Sequence, residues 1–191
     1  PPKVLVKQLE MIKAGRPSVE QDAENLLATI DESGVDKILV CARRTAQIVN
    51  LVGETTFCTE LNKRGYSWMY ITSKTGAIVD GKERDRETFF KTLNKWGKED
   101  GKKFVVMHHS ILSEGINVPG LEAALFLRNM DLISLSQTIG RVIRTGNNDK
   151  KFGLVCVPVY DRVGISTSKK LQAVVDTIFE KGQPAISVTK K

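Results

Sequence analysis

The sequence predicts an α/β layer fold with a mostly parallel central sheet, and two observations carry that prediction. Five short apolar runs, rich in β-branched and aromatic residues, lack the polar alternation of half-exposed strands and suit strands covered on both faces. Between them lie segments whose apolar residues recur at helical spacing. Strand–helix–strand alternation at such intervals builds parallel sheets through right-handed crossovers.

Taken in order, residues 1–17, beginning "PPKVLV", read as a linker or N-terminal arm, 18–160 as the main domain and 161–191 as a C-terminal extension. A helix is expected from Ser18 to about Ser33, with Ser18 and Gln21 at capping-box spacing and Gly34 as its stop. "KILVCA" (Lys37–Ala42) is a strand, Thr45–Lys63 a helix and "WMYIT" (Trp68–Thr72) a strand. A further helix is expected over Asp80–Gly97, with Asp80 as cap, Glu83 completing the capping pattern, and Phe89, Phe90, Leu93 and Trp96 as the buried stripe. "KFVVMHH" (Lys103–His109), "AALFL" (Ala123–Leu127) and "FGLVCVPVY" (Phe152–Tyr160) complete the strands. Ile133–Arg144 and Ser168–Lys181 complete the helices, and a final edge strand can follow.

Composition narrows the class. A chain of 191 residues, 41% hydrophobic and 27% charged, is ordinary for one well-packed soluble domain. No apolar run approaches the ~20 residues of a membrane span, and no signal-peptide pattern is present, so no membrane partner and an intracellular, cytoplasmic setting are expected. A start without methionine points to a segment of something longer. Lysine and arginine outnumber acids 29 to 22, a surplus that permits a polyanionic partner. Cys41 and Cys156 sit inside apolar runs and read as buried reduced thiols. The three cysteines have no C-x-x-C spacing, and no metal site is expected.

Two stretches imitate an ATP site. "GAIVDGKE" (Gly76–Glu83) is one residue from the phosphate-loop signature G-x-x-x-x-G-K-[ST]. Glu83 would replace the magnesium-ligating hydroxyl with a negative charge, and Ile78 and Val79 are stiff where amides must curl around an anion. The stretch is expected to be a strand–turn–helix corner. Asp31-Glu32 imitates a magnesium-binding Asp-Glu pair but falls at the end of the capped helix that starts at Ser18.

The stretch that carries chemistry is "QTIGRVIR" (Gln137–Arg144). On a helix, Gln137, Arg141 and Arg144 fall at i, i+4 and i+7 on one stripe, with Leu135, Ile139, Val142 and Ile143 opposite. Gly140 leaves room for another surface to approach. Two arginines held on one ridge suit a phosphoryl group. The bland alternative is that both are solvated surface charges. "HHSILSEGINVPG" (His108–Gly120) follows an apolar strand, and ligands of parallel α/β sheets sit beyond the carboxyl ends of strands. For His108 and His109 a strand-end placement with no ligand role competes with a binding role.

"SEGINVPG" followed by a strand and "QTIGRVIR" resembles motifs V and VI of superfamily-two helicases and translocases. "KILVCARRT" (Lys37–Thr45) resembles motif IV, and "TGAIVDGKERDRETFFKTL" (Thr75–Leu93) is similar to the turn and helix that follow. Four motifs in order, over roughly Lys37 to Tyr160, identify the second RecA-like domain of such an enzyme, a three-layer α/β/α unit.

The resemblance implies that ATP and Mg2+ are held mainly by an N-terminal RecA-like domain of the same protein. Arg141 and Arg144 would then be arginine fingers reaching the γ-phosphate, and Gln137 would orient that cleft. Glu114, Gly115, Asn117 and Gly140 fall in the cofactor-binding set. Arg43, Arg44, Thr45, Thr75, Gly76, His109 and Ser110 would grip strand phosphates. Asn117 stands where many relatives have Asp, and His109-Ser110 where many have a phosphate-contacting Thr. The glutamine-led "QTIGRVIR" favours single-stranded or branched DNA over RNA, and "EGINVP" looks like phage recombination and restriction-type enzymes. The isolated chain is expected to be inactive in ATP hydrolysis. The competing reading is a non-catalytic nucleic-acid-binding or regulatory module on the same fold.

Overall fold

A computed structural model of the chain describes residues 3–8, 18–42, 44–109, 120–127, 154–159 and 173. The elements run β1 (Lys3–Gln8), α1 (Ser18–Ser33), β2 (Lys37–Cys41), α2 (Thr45–Glu54), α3 (Phe57–Lys63), β3 (Ser67–Thr72), β4 (Gly76–Val79), β5 (Lys82–Arg84), α4 (Arg86–Lys98), β6 (Phe104–His108), β7 (Ala123–Phe126) and β8 (Leu154–Val159). The strands form one sheet in the order β1-β8-β7-β2-β6-β3-β4-β5. β1 through β3 in that order pair in parallel, and β4 and β5 continue as an antiparallel meander at one edge. The mostly parallel sheet with flanking helices is the expected RecA-like arrangement.

Strand alternation sorts the side chains into two layers. Ile38, Val40, Val105, Met107, Trp68 and Tyr70 share one face, where Ala23, Leu26 and Ile30 of α1, Ile48 and Leu51 of α2, and Phe57 and Leu61 of α3 pack on them. Lys37, Leu39, Met69, Phe104 and Val106 take the other face, and all are buried. There α4 lies down, its Trp96 ring 5.8 Å from Phe104. Phe89 and Leu93 are the fully buried members of the α4 stripe, while Phe90 and Trp96 are half-buried at its margins.

The amino ends of the strands are closed by backbone-directed polar contacts. Buried Lys37 donates from Nζ to the carbonyl oxygens of Trp96 (2.9 Å), Gly97 (2.8 Å) and Glu99 (2.5 Å), at the end of α4 where carbonyls lack helical partners. Asp36 N–H donates to Glu122 Oε1 at 3.0 Å, and Tyr66 Oη donates to Val35 O. Gly120, at φ 76°, lies so close to α4 that a methyl group there would overlap the Gly97 carbonyl.

Three expectations need correction. Lys3–Gln8, inside the expected linker or arm, is a strand that pairs in parallel with β8. The Thr45–Lys63 helix is two helices, because the Thr55 hydroxyl accepts from Phe57 N–H at 3.1 Å and donates to Leu51 O at 2.5 Å, ending one helix and starting the next. "GAIVDGKE" is a strand–turn–strand hairpin. Asp80 and Gly81 have φ 48° and 83°, the left-handed pair that a two-residue hairpin turn requires. Asp80 therefore caps no helix. Its carboxylate accepts from Trp68 N–H at 2.9 Å, and Asp85 caps α4 by accepting from Thr88 N–H at 2.6 Å. The hairpin also rules out a phosphate loop, since no helix begins at Lys82 and Ile78 packs against the core.

The end of α1 behaves as expected, with Gly34 N–H returning to Ile30 O at 3.0 Å. Asp31 makes a two-pronged ion pair with Arg64, at 2.7 and 3.0 Å, rather than any metal site. The helix expected over Ile133–Arg144 lies outside the described residues, as does Ser168–Lys181 apart from Ala173, which is helical.

Candidate functional site

The carboxyl ends of β2, β3 and β6 converge on one rim of the sheet, because these strands are adjacent and parallel. Three connections start there: β2 into α2, β3 into β4, and the residues after β6. Parallel strands bury their middles and leave ligand contacts to such rims.

Two open clefts flank the rim, one per face. On the α2 side a cleft of about 430 Å³ is lined by Thr45, Ala46, Val49, Asn50, Ser73 and Lys74. On the α4 side a cleft of about 460 Å³ is lined by Thr72, Ser73, Gly76, Arg84, Arg86, His108 and His109, with Ile71 and Ala77 as its floor. Ser73 belongs to both, so the clefts meet across the β3–β4 turn.

Thr45 is the first residue of α2 and Arg44 its cap, one position earlier than the sequence places the cap. An arginine has no acceptor for the first-turn amides. Gln47 Oε1 accepts from Arg44 N–H at 3.0 Å, and the Arg44 side chain makes no cap hydrogen bond to the helix's first amides. Thr75 is held by Thr72, whose hydroxyl lies 2.6 Å from Thr75 Oγ1 and accepts from Thr75 N–H at 2.9 Å. That bond fixes the turn that presents Ser73 and Lys74, both exposed. His108 is buried and stacks on exposed His109, ring centres 5.4 Å apart. His108 supplies the wall and His109 the open ring.

Arg44, Thr45, Thr75, Gly76 and His109 thus share one rim. Arg43, Ser110, Glu114, Gly115, Asn117, Gln137, Gly140, Arg141 and Arg144 lie outside the described residues. Sequence reading overlooked Ser73, Lys74, Arg84 and Arg86. The Asp-Gly pair between "AIV" and "KER" is the hairpin signal that would have found the two arginines.

The buried thiols contribute no chemistry here. Burial pushes Cys41, at the end of β2, up to about 12, and burial, with a lesser contribution from Asp80, pushes Cys58 to about 12 as well. Neither is a nucleophile near neutrality. Among the described residues no group of three His, Cys, Asp or Glu side chains is placed to hold a metal ion. Among those residues no helix is long and apolar enough to cross a membrane.

Residues 21–146 match the helicase conserved C-terminal domain. The chain belongs to that family. Its fold is shared with solved helicase C-terminal domains. This helicase C-terminal domain is similar to the C-terminal part of the Fun30 ATPase domain, with TM-score 0.50 and 12% identity, over 89% of this chain and 57% of that one. It is similar to the C-terminal domain of the DEAD-box protein Dbp5, with TM-score 0.50 and 12% identity, over 92% of this chain and 86% of that one. The ATP-dependent Type ISP restriction-modification enzyme LlaBIII, described bound to DNA, gives TM-score 0.53 and 15% identity, over 94% of this chain and 14% of that one. The helicase C-terminal domain therefore spans 57% of the Fun30 chain and a small part of LlaBIII. No curated protein matches it in sequence.

Proposed function

We propose that this domain is the second motor domain of an ATP-dependent nucleic-acid helicase or translocase, with single-stranded or branched DNA as its track. The observation that carries the reading is the family match, which runs from α1 through the "QTIGRVIR" stretch. In this reading an N-terminal RecA-like domain of the same protein holds ATP and Mg2+, and Arg141 and Arg144 reach the γ-phosphate from outside. Gln137 and Gly140 shape that cleft, and Glu114, Gly115 and Asn117 face the nucleotide. ATP closes the two domains on each other, and hydrolysis reopens them in the cytoplasm of the host cell.

The rim is the strand-gripping surface. Arg44 and Lys74 supply cationic charge, Thr45 and Thr75 supply hydroxyls, and the first N–H groups of α2 donate to an anion at the positive end of the helix. Arg43, Gly76, His109 and Ser110 complete the grip. Contacts of this kind read backbone rather than base, so binding is largely sequence-blind and weakens with salt. The preference for DNA rests on the glutamine-led motif, and kinship with phage or restriction enzymes on the "EGINVP" wording.

In the intact protein, Arg144→Ala should lower ATP turnover by at least about a thousand-fold while circular dichroism and strand affinity stay unchanged. Turnover equal to wild type would remove the finger assignment. Parallel measurement of ATPase stimulation by single-stranded, duplex and branched DNA and by RNA decides the track.

A further inference from the structure

We propose that the β4–β5 hairpin delivers Arg84 as an additional phosphate-binding residue, which extends the strand path from the α2-side cleft across Ser73 into the α4-side cleft. The proposal rests on the strand-gripping reading of the rim and adds a residue and a second subsite to it.

The register of the hairpin makes the case. Val79 pairs with Lys82, Ile78 with Glu83 and Ala77 with Arg84. Alternation therefore places Lys82 and Arg84 on one face of the meander and turns Glu83 to the other, the face on which Ile78 packs. A three-residue strand reading Lys-Glu-Arg thus presents its cations to the cleft side and its acid away from it. None of the described residues lining the α4-side cleft is acidic. Asp85, the carboxylate next in sequence, is committed to the cap of α4 through Thr88 N–H at 2.6 Å.

Arg84 belongs to none of the ion pairs formed among the described residues, and one of its Nη1 hydrogens goes to the Glu83 carbonyl at 2.9 Å. The guanidinium keeps further N–H donors in its fork, the geometry that binds two oxygens of one phosphate. Gly76 and Ser73 line the same cleft and add backbone and a hydroxyl to it. The volume, about 460 Å³, accommodates a phosphodiester and its sugar. A simpler role for charged residues on an outermost strand is to repel pairing with another chain. Lys82 would serve that role as well as Arg84, yet it does not line the cleft, and this separates the two explanations.

The test is binding of the intact protein to an oligothymidylate over a salt series. Arg84→Ala should weaken binding several-fold and reduce the slope of log affinity against log salt by about 0.7, one single-strand phosphate contact. Lys82→Ala should leave the slope unchanged, and Arg84→Lys should restore the slope while recovering only part of the affinity. Wild-type slope in Arg84→Ala, or equal losses in Arg84→Ala and Lys82→Ala, would overturn the proposal and leave the strand-gripping reading standing. A wild-type protein without affinity for the strand would overturn both.

Discussion

The two rims of the sheet use the same kinds of residue for opposite ends. At the amino rim a lysine turns inward, and Lys37 spends its three hydrogens on the last carbonyls of α4. At the carboxyl rim Lys74, Arg44 and Arg84 are exposed around open clefts, and Arg44 caps a helix it cannot satisfy. Glycine divides the same way. Gly120 lets backbone meet backbone at the closed rim, whereas Gly76 opens space in a cleft at the other. Closing one rim with internal partners leaves the other to engage something external.

That contrast predicts large losses of stability at the amino rim and losses of binding alone at the carboxyl rim. The largest effect is expected from Gly120→Ala, which combines a left-handed φ of 76° with overlap on the Gly97 carbonyl. Denaturant titration should show a loss of about 3–5 kcal/mol. A loss below 1 kcal/mol would mean that the two backbones are not held together. Lys37→Met comes next, because it keeps the stem and removes the donor from buried carbonyls, at about 2–3 kcal/mol. Near-native stability in that variant would erase the distinction between the rims.

Lys74→Ala should leave the melting temperature within about a degree of wild type, as exposed substitutions usually do. It should nonetheless weaken strand binding several-fold with a shallower salt dependence. A matched drop in melting temperature would make Lys74 structural.

The smallest effect belongs to neither rim. Hydrogen bonding from Arg64 holds the Asp31 carboxyl below its usual range, and Lys63 and then Arg64 do the same for Glu60. Both folded values are depressed, so the stabilisation is present above the unfolded values near about 4 and is lost as pH falls through the folded ones. Melting curves of Asp31→Asn should therefore converge on wild type below about pH 3 and separate slightly above pH 5. Parallel curves throughout would contradict the pairing.

Strands β2, β3, β6, β7 and β8 were legible because buried parallel strands need apolar residues on both faces, as Leu39, Val40, Val105 and Val106 illustrate. Thr45, Gly76 and His109, which the structure brings to one rim, were singled out in the sequence as members of ordered motifs. What sequence missed depended on competition between local signals. Asp80 can cap a helix or enter a left-handed turn, and only the pairing of Ile78 with Tyr70 and Glu83 selects the turn. Thr55 can continue a helix or break one. Lys37 opens an apolar run, where a lysine ordinarily marks the solvent end, and its inward course depends on where α4 stops. Arg84 required register, which follows once Asp80-Gly81 is read as a hairpin turn rather than as a helix cap.

Strand order also sets a schedule for assembly. In the meander Val79 lies opposite Lys82, and Thr72 opposite Gly76, so these pairs close over a handful of residues. Each parallel pairing must first bring together distant parts of the chain: Ala123 meets Leu154, Ser67 meets Phe104, and Lys3 meets Leu154. Closing long loops costs entropy before any contact repays it, which slows folding of such topologies. The short hairpin is thus the part of the sheet with the smallest loop-closure cost, and every parallel pairing carries a larger one.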